Sequence, residues 1–207
     1  FVHLRENYSD SDIIEMCKDA KINDRLGGSQ PINFKLEDTT INITPSTVRY
    51  ITVFCDLIEY FDDISSMNIA EIGGGYGGQC LVSHELSGFK SWDIIDIPEA
   101  NLLQKKYLTE NDVDNVRYIS MENIEEISER YDLVISNYSF SECTREIQDI
   151  YVDKILKKSS CGYMTMNFIS EYENVYKFDD LKKVIPNLES FPEHPISYHT
   201  NELFIWK

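Results

Sequence analysis

The sequence predicts an α/β protein with a Rossmann-like, doubly wound sheet of seven strands, mostly parallel with an antiparallel C-terminal strand. Segments of strand and helix character alternate from Met67 onward, which is typical of a parallel sheet covered by helices. Five glycines fall within residues 73–78, directly after an apolar run. Near the C-terminus, two short apolar segments, Asn187–Phe191 and Glu202–Trp206, are too close together for a helix to intervene and predict an antiparallel pair.

Length and composition indicate one domain without a membrane segment. The chain has 207 residues, of which 42% are hydrophobic, enough to bury a single core. No apolar run approaches the roughly 18 residues that a membrane span needs. We therefore predict one domain over residues 1–207, in which residues 1–66 form a helical cap or lid and residues 67–207 form a ligand-binding core.

The charge of the chain argues against nucleic acid as a partner. Nineteen basic and 36 acidic residues leave a formal net charge of −17, and the isoelectric point lies near 4.5. Affinity for DNA or RNA depends on lysine and arginine contacts to phosphate, and a surface this acidic repels polyanions. We expect no nucleic-acid partner.

Five cysteines are odd in number and widely spaced, without a Cys-x-x-Cys pair. Such spacing predicts reduced thiols in the cytoplasm rather than disulfides or a zinc site. The sequence begins with Phe1 rather than Met and lacks the basic segment and apolar stretch of a secretory signal. We expect the sequence to be a piece of a longer protein.

Residues 1–43 carry the weakest pattern of the chain. A short helix is predicted over Asp10–Asp19, and Asn23–Gly28 is typical of a turn. The predicted inward residues of the short helix are Ile13, Ile14 and Cys17.

A clear helix start follows at Thr44, a good N-cap residue, with Pro45 at the first helical position. One face of this helix is apolar at helical spacing. Its residues are Val48, Ile51, Phe54, Leu57, Ile58 and Phe61.

Downstream of Met67, five strands of the parallel sheet alternate with helices. The strands are predicted at Asn68–Ile72, Ser91–Ile95 with Asp96 at its end, Val116–Ile119, Tyr131–Ser136 and Tyr163–Ile169. Helices are predicted at Gly78–Leu86, from Pro98 onward, from Ile147 to a last turn at Lys157 and Lys158 with Gly162 beyond, and at Asp179–Ile185.

The glycine cluster predicts a site where backbone approaches a nucleotide-like ligand. Residues 73–78 satisfy G-x-G-x-x-G, and Asp96 follows about twenty residues later, as a dinucleotide fold requires. A P-loop is excluded because Gln79 stands where lysine is needed. About 140 residues follow Met67 and one sheet uses them all, so a dehydrogenase's separate substrate domain has no room. With the terminal hairpin, this favours S-adenosylmethionine over NAD.

Three segments, Glu71–Cys80, Ile95–Glu99 and Tyr131–Glu142, resemble the successive motifs of class I S-adenosylmethionine-dependent methyltransferases. More narrowly, residues 23–207 resemble the sugar O-methyltransferase family. The resemblance implies methyl transfer from S-adenosylmethionine to a sugar hydroxyl of a glycan or glycan precursor. It also implies fusion to glycosyltransferase domains, in some cases viral ones, with the cytoplasm, or the host cytoplasm for a viral chain, as the location.

Position along the sheet assigns roles at the cofactor. Glu71 can accept from the ammonium group, the amides after it can approach the methionine part, and Asp96 can bind both ribose hydroxyls. Two bland alternatives stay open: Asp96 can simply begin a helix, and Glu122 can be a plain first-turn acid. The predicted cofactor residues are Glu71, Gly73, Gly74, Gly75, Tyr76, Gly77, Asp96, Ile97, Met121, Glu122 and Asn137.

A sugar hydroxyl is almost unionised at neutral pH, so a general base is expected. The connection between the terminal strands returns to the ligand end of the sheet, which makes His199 the first candidate, followed by Glu142 and His194. Each could instead be a surface residue or a helix-start acid. Predicted acceptor-binding residues are Arg49, Tyr50 and Tyr138, and no metal is expected. Arg49 and Tyr50 could instead bind the cofactor carboxylate or form a solvated helix face. An NAD-linked reductase and a non-catalytic cofactor-binding partner domain remain alternatives.

Overall fold

The computed structural model describes residues 1–36, 38–168 and 174–207, and the chain forms two compact units. The first unit comprises Phe1–Ser66, Gly75–Phe89 and Leu103–Asp114. The second comprises Met67–Gly74, Lys90–Leu102 and Asn115–Lys207. The predicted lid, residues 1–66, therefore clusters with two segments of the predicted core, and its role as a lid stays a prediction.

The first unit is mainly helical, with one small antiparallel sheet whose strands pair from Ile32–Ile43 to Leu36–Thr39. This hairpin has no counterpart among the predicted elements, although Ile32, Phe34 and Leu36 alternate with polar residues in β1, as Ile41 and Ile43 do in β2. That alternation was the available signal, and few side chains of the hairpin are buried. The elements are α1 (Leu4–Asn7), α2 (Asp10–Ala20), a 3-10 turn (Lys21–Asp24), β1 (Ile32–Leu36), β2 (Thr39–Ile43), α3 (Pro45–Phe61) and α4 (Gly78–Leu86).

The helix starts of this unit follow capping chemistry. Ser9 and Asp12 form a capping box at α2, and the Thr44 hydroxyl accepts from the Thr47 amide at 3.2 Å, with Pro45 beginning α3. The predicted start of α3 is therefore confirmed. In α2, Ile13 and Cys17 are fully buried as predicted, whereas Ile14 is only half-buried.

The second unit contains a seven-stranded sheet in the order β5-β4-β3-β6-β7-β9-β8 among the described residues. The first five strands along this order are parallel, and β9 runs antiparallel to both of its neighbours. The predicted fold class and terminal hairpin are thereby confirmed. The strands are β3 (Asn68–Ile72), β4 (Ser91–Asp96), β5 (Val116–Ser120), β6 (Tyr131–Asn137), β7 (Ser159–Met166), β8 (Glu189–Pro192) and β9 (Glu202–Trp206).

Three boundaries near β7 differ from prediction. The helix after β6 ends at Lys154, and Lys157 and Lys158 belong to a separate 3-10 turn. Strand β7 then begins at Ser159, before the predicted start, and the predicted end at Ile169 lies outside the described residues. Gly162 does not end a helix: it lies inside β7, where a Cβ would collide with the indole of Trp206 on β9.

The remaining helices connect the strands. The last predicted helix, Asp179–Ile185, is shorter and begins one residue earlier than expected. The remaining helices and turns are α5 (Pro98–Thr109), a 3-10 turn (Met121–Glu126), α6 (Ser139–Glu142), α7 (Arg145–Lys154), a 3-10 turn (Leu156–Lys158) and α8 (Phe178–Lys182).

An apolar core covers one side of the sheet in the second unit. Val134, Met164 and Phe204, from three neighbouring strands, are fully buried and pack with Phe140 and Tyr151 from the connecting helices. All five cysteines are free thiols, and burial raises the pKa of Cys143 to about 11. Along the described residues, no helix has both the length and the apolar character to cross a membrane.

Candidate cofactor and acceptor site

The strand order of the second unit reverses at β3, which has β4 on one side and β6 on the other. In open α/β sheets, ligands bind outside the carboxyl ends of the strands at such a switch point. Glu71 lies near this end of β3, Asp96 ends β4 and Asn137 ends β6. Three of the predicted cofactor residues thus lie on adjacent parallel strands at one edge of the sheet.

Gly73 continues the chain from β3 in a conformation that favours glycine. Its φ is +75°, and its amide donates to the carbonyl of Ile95 at 3.0 Å. A Cβ at this position would collide with the side chain of Ser139, at the start of α6. Gly73 is therefore required by the packing of the turn, and Gly74 after it is buried.

The next glycines belong to the first unit and differ in their surroundings. Gly75 has φ +55° and is exposed, and a Cβ there would meet no atom within 4 Å. Gly77, with φ +101°, is the N-cap of α4, and its Cβ would approach Leu108 Cγ to 3.0 Å. Tyr76, between them, accepts from Asn23 Nδ2 at 3.0 Å. Open space beside Gly75 fits a ligand that lies against the backbone.

Glu71 is buried, with 2% of its surface exposed, and Trp92 Nε1 donates to its Oε2 at 2.9 Å. Burial raises the pKa of Glu71 to about 8; the indole hydrogen bond lowers it, and the charge of Asp96 raises it further. A cation placed beside Glu71 would favour the carboxylate form. The residue is therefore suited to the ammonium group of a ligand.

Asp96 and Ile97 follow each other at the end of β4. Asp96 Oδ1 accepts from the Ile97 amide at 2.8 Å, a contact that also suits the alternative role of starting α5. The Ile97 side chain is 56% exposed, large for an apolar residue at the edge of a core. After β5, Met121 packs against the core and Glu122 is exposed, its amide donating to Ser120 Oγ at 3.3 Å.

The end of β6 carries a strained residue. Asn137 Oδ1 accepts from Thr165 Oγ1 at 3.5 Å on the neighbouring strand β7. Tyr138 follows with φ +69°, and its amide donates to the Thr165 carbonyl at 2.8 Å. A bulky residue at positive φ is rare and is found preferentially at functional sites.

The candidate bases are on the same unit but have different environments. Glu142, at the end of α6, accepts from Asn167 Nδ2 at 2.6 Å. His194 and His199 are exposed on the connection between β8 and β9, where the His199 ring lies 4.4 Å from that of Tyr198. The buried residues of this connection are instead those at its two ends, Glu193 and Asn201.

Glu193 is a functional candidate absent from the predicted residues. It is 7% exposed and accepts from the Tyr138 hydroxyl, from the amide and hydroxyl of Ser197 at 3.0 and 2.6 Å, and from Asn201 Nδ2 at 2.9 Å. The sequence did offer a signal for Glu193. It is an acidic residue between Pro192 and Pro195, in the connection that returns to the ligand end of the sheet. The predicted acceptor residues Arg49 and Tyr50 lie on α3 of the first unit, and their roles stay predictions.

No protein-family model and no curated protein matches the chain. Solved structures do match in fold, and methyltransferases are among them.

The first of these structures is that of Thermoplasma acidophilum 1320, with a TM-score of 0.58 and 17% identity over 93% of this chain and 97% of that chain. Magnesium protoporphyrin IX methyltransferase ChlM from Synechocystis PCC 6803, solved with bound SAH, has a TM-score of 0.57 and 12% identity over 77% of this chain and 82% of that chain. Mitomycin 7-O-methyltransferase MmcR has a TM-score of 0.54 and 13% identity over 78% of this chain and 54% of that chain. The TM-scores show a common fold, and identities this low show nothing more.

Proposed function

We propose that the chain is an S-adenosylmethionine-dependent O-methyltransferase that acts on a sugar hydroxyl of a glycan or glycan precursor. One observation carries the proposal: Glu71, Asp96 and Asn137 converge at the carboxyl ends of three adjacent parallel strands, beside a glycine turn at the switch point. The structures of ChlM with SAH and of MmcR, which share the fold, support methyl transfer.

The described residues fit S-adenosylmethionine. A buried acid with a raised pKa, Glu71, suits its ammonium group, and the open space at Gly75 suits its methionine part. Asp96 would accept from the ribose hydroxyls, and exposed Ile97 would cover one face of the adenine, with Met121 and Glu122 beside it. Asn137 would lie next to the methyl group.

The bound sulfonium supplies an electrophilic methyl group, and the protein has to align an acceptor oxygen with it. The acceptor hydroxyl must lose its proton, and we assign this step to His199, with Glu142 and His194 as the alternatives. Tyr138 would hold the sugar, and the sugar contacts of Arg49 and Tyr50, in the other unit, stay predictions. We propose that transfer needs no metal, that the enzyme works in the cytoplasm, and that it is fused to glycosyltransferase domains of a glycan-building enzyme.

Calorimetric titration tests the cofactor. We expect S-adenosylmethionine and S-adenosylhomocysteine to bind and NAD to give no heat of binding. Asp96→Ala should weaken binding about tenfold or more, since two hydrogen bonds to a charged group are lost. Binding of NAD alone would replace the proposal with a reductase.

Turnover with a panel of glycosides tests the acceptor, with release of S-adenosylhomocysteine as the readout. His199→Ala should lower kcat by about 10²–10⁴-fold at unchanged cofactor affinity, whereas His84→Ala, on α4, should leave kcat unchanged. If only Glu142→Ala or His194→Ala has this effect, the base is reassigned.

Transfer to catechols or amines alone would contradict a sugar acceptor. Loss of transfer in the presence of a chelator, restored by magnesium, would contradict a metal-free reaction. Cofactor binding without turnover on any acceptor would indicate a non-catalytic partner domain.

A further inference from the structure

We propose that Glu193 is a positioning residue that orients the phenol of Tyr138 as a hydrogen-bond acceptor for the incoming hydroxyl group. The inference rests on the proposed function and deepens it: the site selects acceptors that can donate a hydrogen bond, and it ceases to hold them once they are methylated.

Glu193 lies at the same end of the sheet as Tyr138. Strand β8 runs antiparallel to β9, which is antiparallel to β7, so β8 ends at the same edge of the sheet as β6 and β7. Glu193 follows Pro192, the last residue of β8, and Tyr138 follows Asn137, the last residue of β6. The hydrogen bond between Tyr138 and Glu193 therefore spans the ligand edge of the sheet.

Both oxygens of the Glu193 carboxylate accept hydrogen bonds from described residues. One oxygen, Oε1, accepts from the Tyr138 hydroxyl. The other, Oε2, accepts from the Ser197 amide at 3.0 Å, the Ser197 hydroxyl at 2.6 Å and Asn201 Nδ2 at 2.9 Å. Among the described residues, four donors surround this carboxylate, which is 7% exposed, and hold the connection that also carries His194 and His199. The carboxylate is thus held in place and can orient the Tyr138 hydroxyl that donates to it.

The backbone of Tyr138 is held in place as well. Its positive φ turns the chain at the end of β6, and its amide is held by the Thr165 carbonyl at 2.8 Å. A strained conformation of this kind persists only when the surroundings fix it. The hydrogen bonds at both the amide and the phenol fix it here, beside the predicted methyl-transfer residue Asn137.

The chemical consequence follows from the single hydrogen of a phenol. Because that hydrogen is donated to Glu193, and the Ser197 hydroxyl, 3.4 Å from Tyr138 Oη, donates to the same carboxylate, Tyr138 Oη would meet a ligand as an acceptor. A sugar hydroxyl can donate its one hydrogen to Tyr138 Oη when it binds, while an oxygen lone pair points at the methyl group. In the transfer step the C–O bond would form as the C–S bond breaks, and this hydrogen would pass from Tyr138 Oη to the general base. The methyl ether that forms has no hydrogen to donate, so the same contact is lost in the product.

Four variants test this inference: Tyr138→Phe, Glu193→Gln, the double variant, and Glu189→Gln as a matched control in an exposed position on β8. With the best glycoside acceptor, Tyr138→Phe should raise the acceptor KM about tenfold or more at unchanged cofactor affinity. Glu193→Gln should produce a similar loss, and the double variant should lose no more than the worse single variant. Glu189→Gln should match the wild type.

Strictly additive losses would mean that Glu193 acts independently of Tyr138, and unchanged kinetics in Tyr138→Phe would overturn the inference alone. Should Glu193→Gln fail to fold, Tyr138→Phe still tests whether the phenol holds the acceptor, and the proton resonance of the wild type tests its hydrogen bond to Glu193. A wild-type chain that binds the cofactor but methylates no hydroxyl would overturn the proposed function itself.

A second readout needs neither cofactor nor acceptor. The hydroxyl proton of Tyr138, held by a buried carboxylate, should give a slowly exchanging proton NMR resonance far downfield. It should vanish in Tyr138→Phe and in Glu193→Gln and persist in Glu189→Gln. Its absence from the wild type would overturn the inference whatever the activity of the enzyme.

Discussion

Glu71 shows how one buried acid connects ligand chemistry with stability. Its carboxyl is 2% exposed, and burial raises its pKa from 4.5 to about 8. The folded chain therefore holds a proton that the unfolded chain releases between these values. The stability that this proton confers is complete below pH 4.5 and is lost as the pH rises to about 8.

We predict that Glu71→Gln flattens the pH dependence of the free energy of unfolding. The substituted amide stays neutral at every pH and can still accept from Trp92, so the loss of a few kcal/mol between about pH 5 and pH 8 should be reduced. Urea denaturation at several pH values measures it, with Glu126→Gln, at an exposed position, as the control. A variant whose stability falls with pH as steeply as the wild type would contradict the assignment.

The glycines allow a second test at the scale of a residue. Gly75 and Gly88 both have positive φ, +55° and +72°, and a Cβ at either would meet no atom within 4 Å. Alanine at each should cost about 1–2 kcal/mol of stability through the backbone alone. We predict that Gly75→Ala additionally weakens S-adenosylmethionine binding about tenfold or more, because the methyl group takes up ligand space, whereas Gly88→Ala does not. Equal affinities of the two variants would remove Gly75 from the site.

At the scale of the element, α3 is stabilised by its first turn. Thr44 Oγ1 accepts from the Thr47 amide and donates to Asp24 Oδ1 at 2.6 Å. Thr47 Oγ1 donates to the same carboxylate oxygen at 2.5 Å. The cap therefore joins α3 to the 3-10 turn that ends at Asp24.

We predict that Thr44→Ala lowers the free energy of unfolding by about 1–2 kcal/mol, since a helix cap and a hydrogen bond to a charged group are both lost. Ser46→Ala, at an exposed position two residues into α3, should change it by less than about 0.5 kcal/mol. Urea denaturation of both variants decides, and equal stabilities would show that the cap contributes nothing.

Elements were predictable where local chemistry specifies them. Strand β3 and helix α4 have the predicted bounds, since an apolar run, a glycine turn and a terminal Gly88 mark them. The hairpin β1–β2 was missed although its residues alternate between apolar and polar, whereas the early start of β7, at Ser159, has no such local pattern and depends on its pairing partner. Gly162 in particular suggested a helix end, and only the ring of Trp206 opposite it explains a glycine within a strand.

At the scale of the whole molecule, the net charge affects the stability of the folded chain. A net charge of −17 on 207 residues generates self-repulsion in the compact state. We predict that raising sodium chloride from about 0.05 to 0.5 M increases the free energy of unfolding by screening. Potassium chloride should act equally, which distinguishes screening from binding of a particular ion. A decrease with salt would show that attractive ion pairs outweigh the repulsion.

The sequence by itself determined the parallel core, the glycine turn after its first strand and the acids at the strand ends, because strand and helix periods and turn residues are local properties. Only the tertiary structure decided that Glu71 is buried against Trp92 and that Glu193 accepts from Tyr138. The second pair is 55 residues apart along the chain. The burial of Glu71 and the hydrogen bonds to Glu193 depend on which strand ends lie next to each other in the sheet. No local pattern of residues predicts that arrangement.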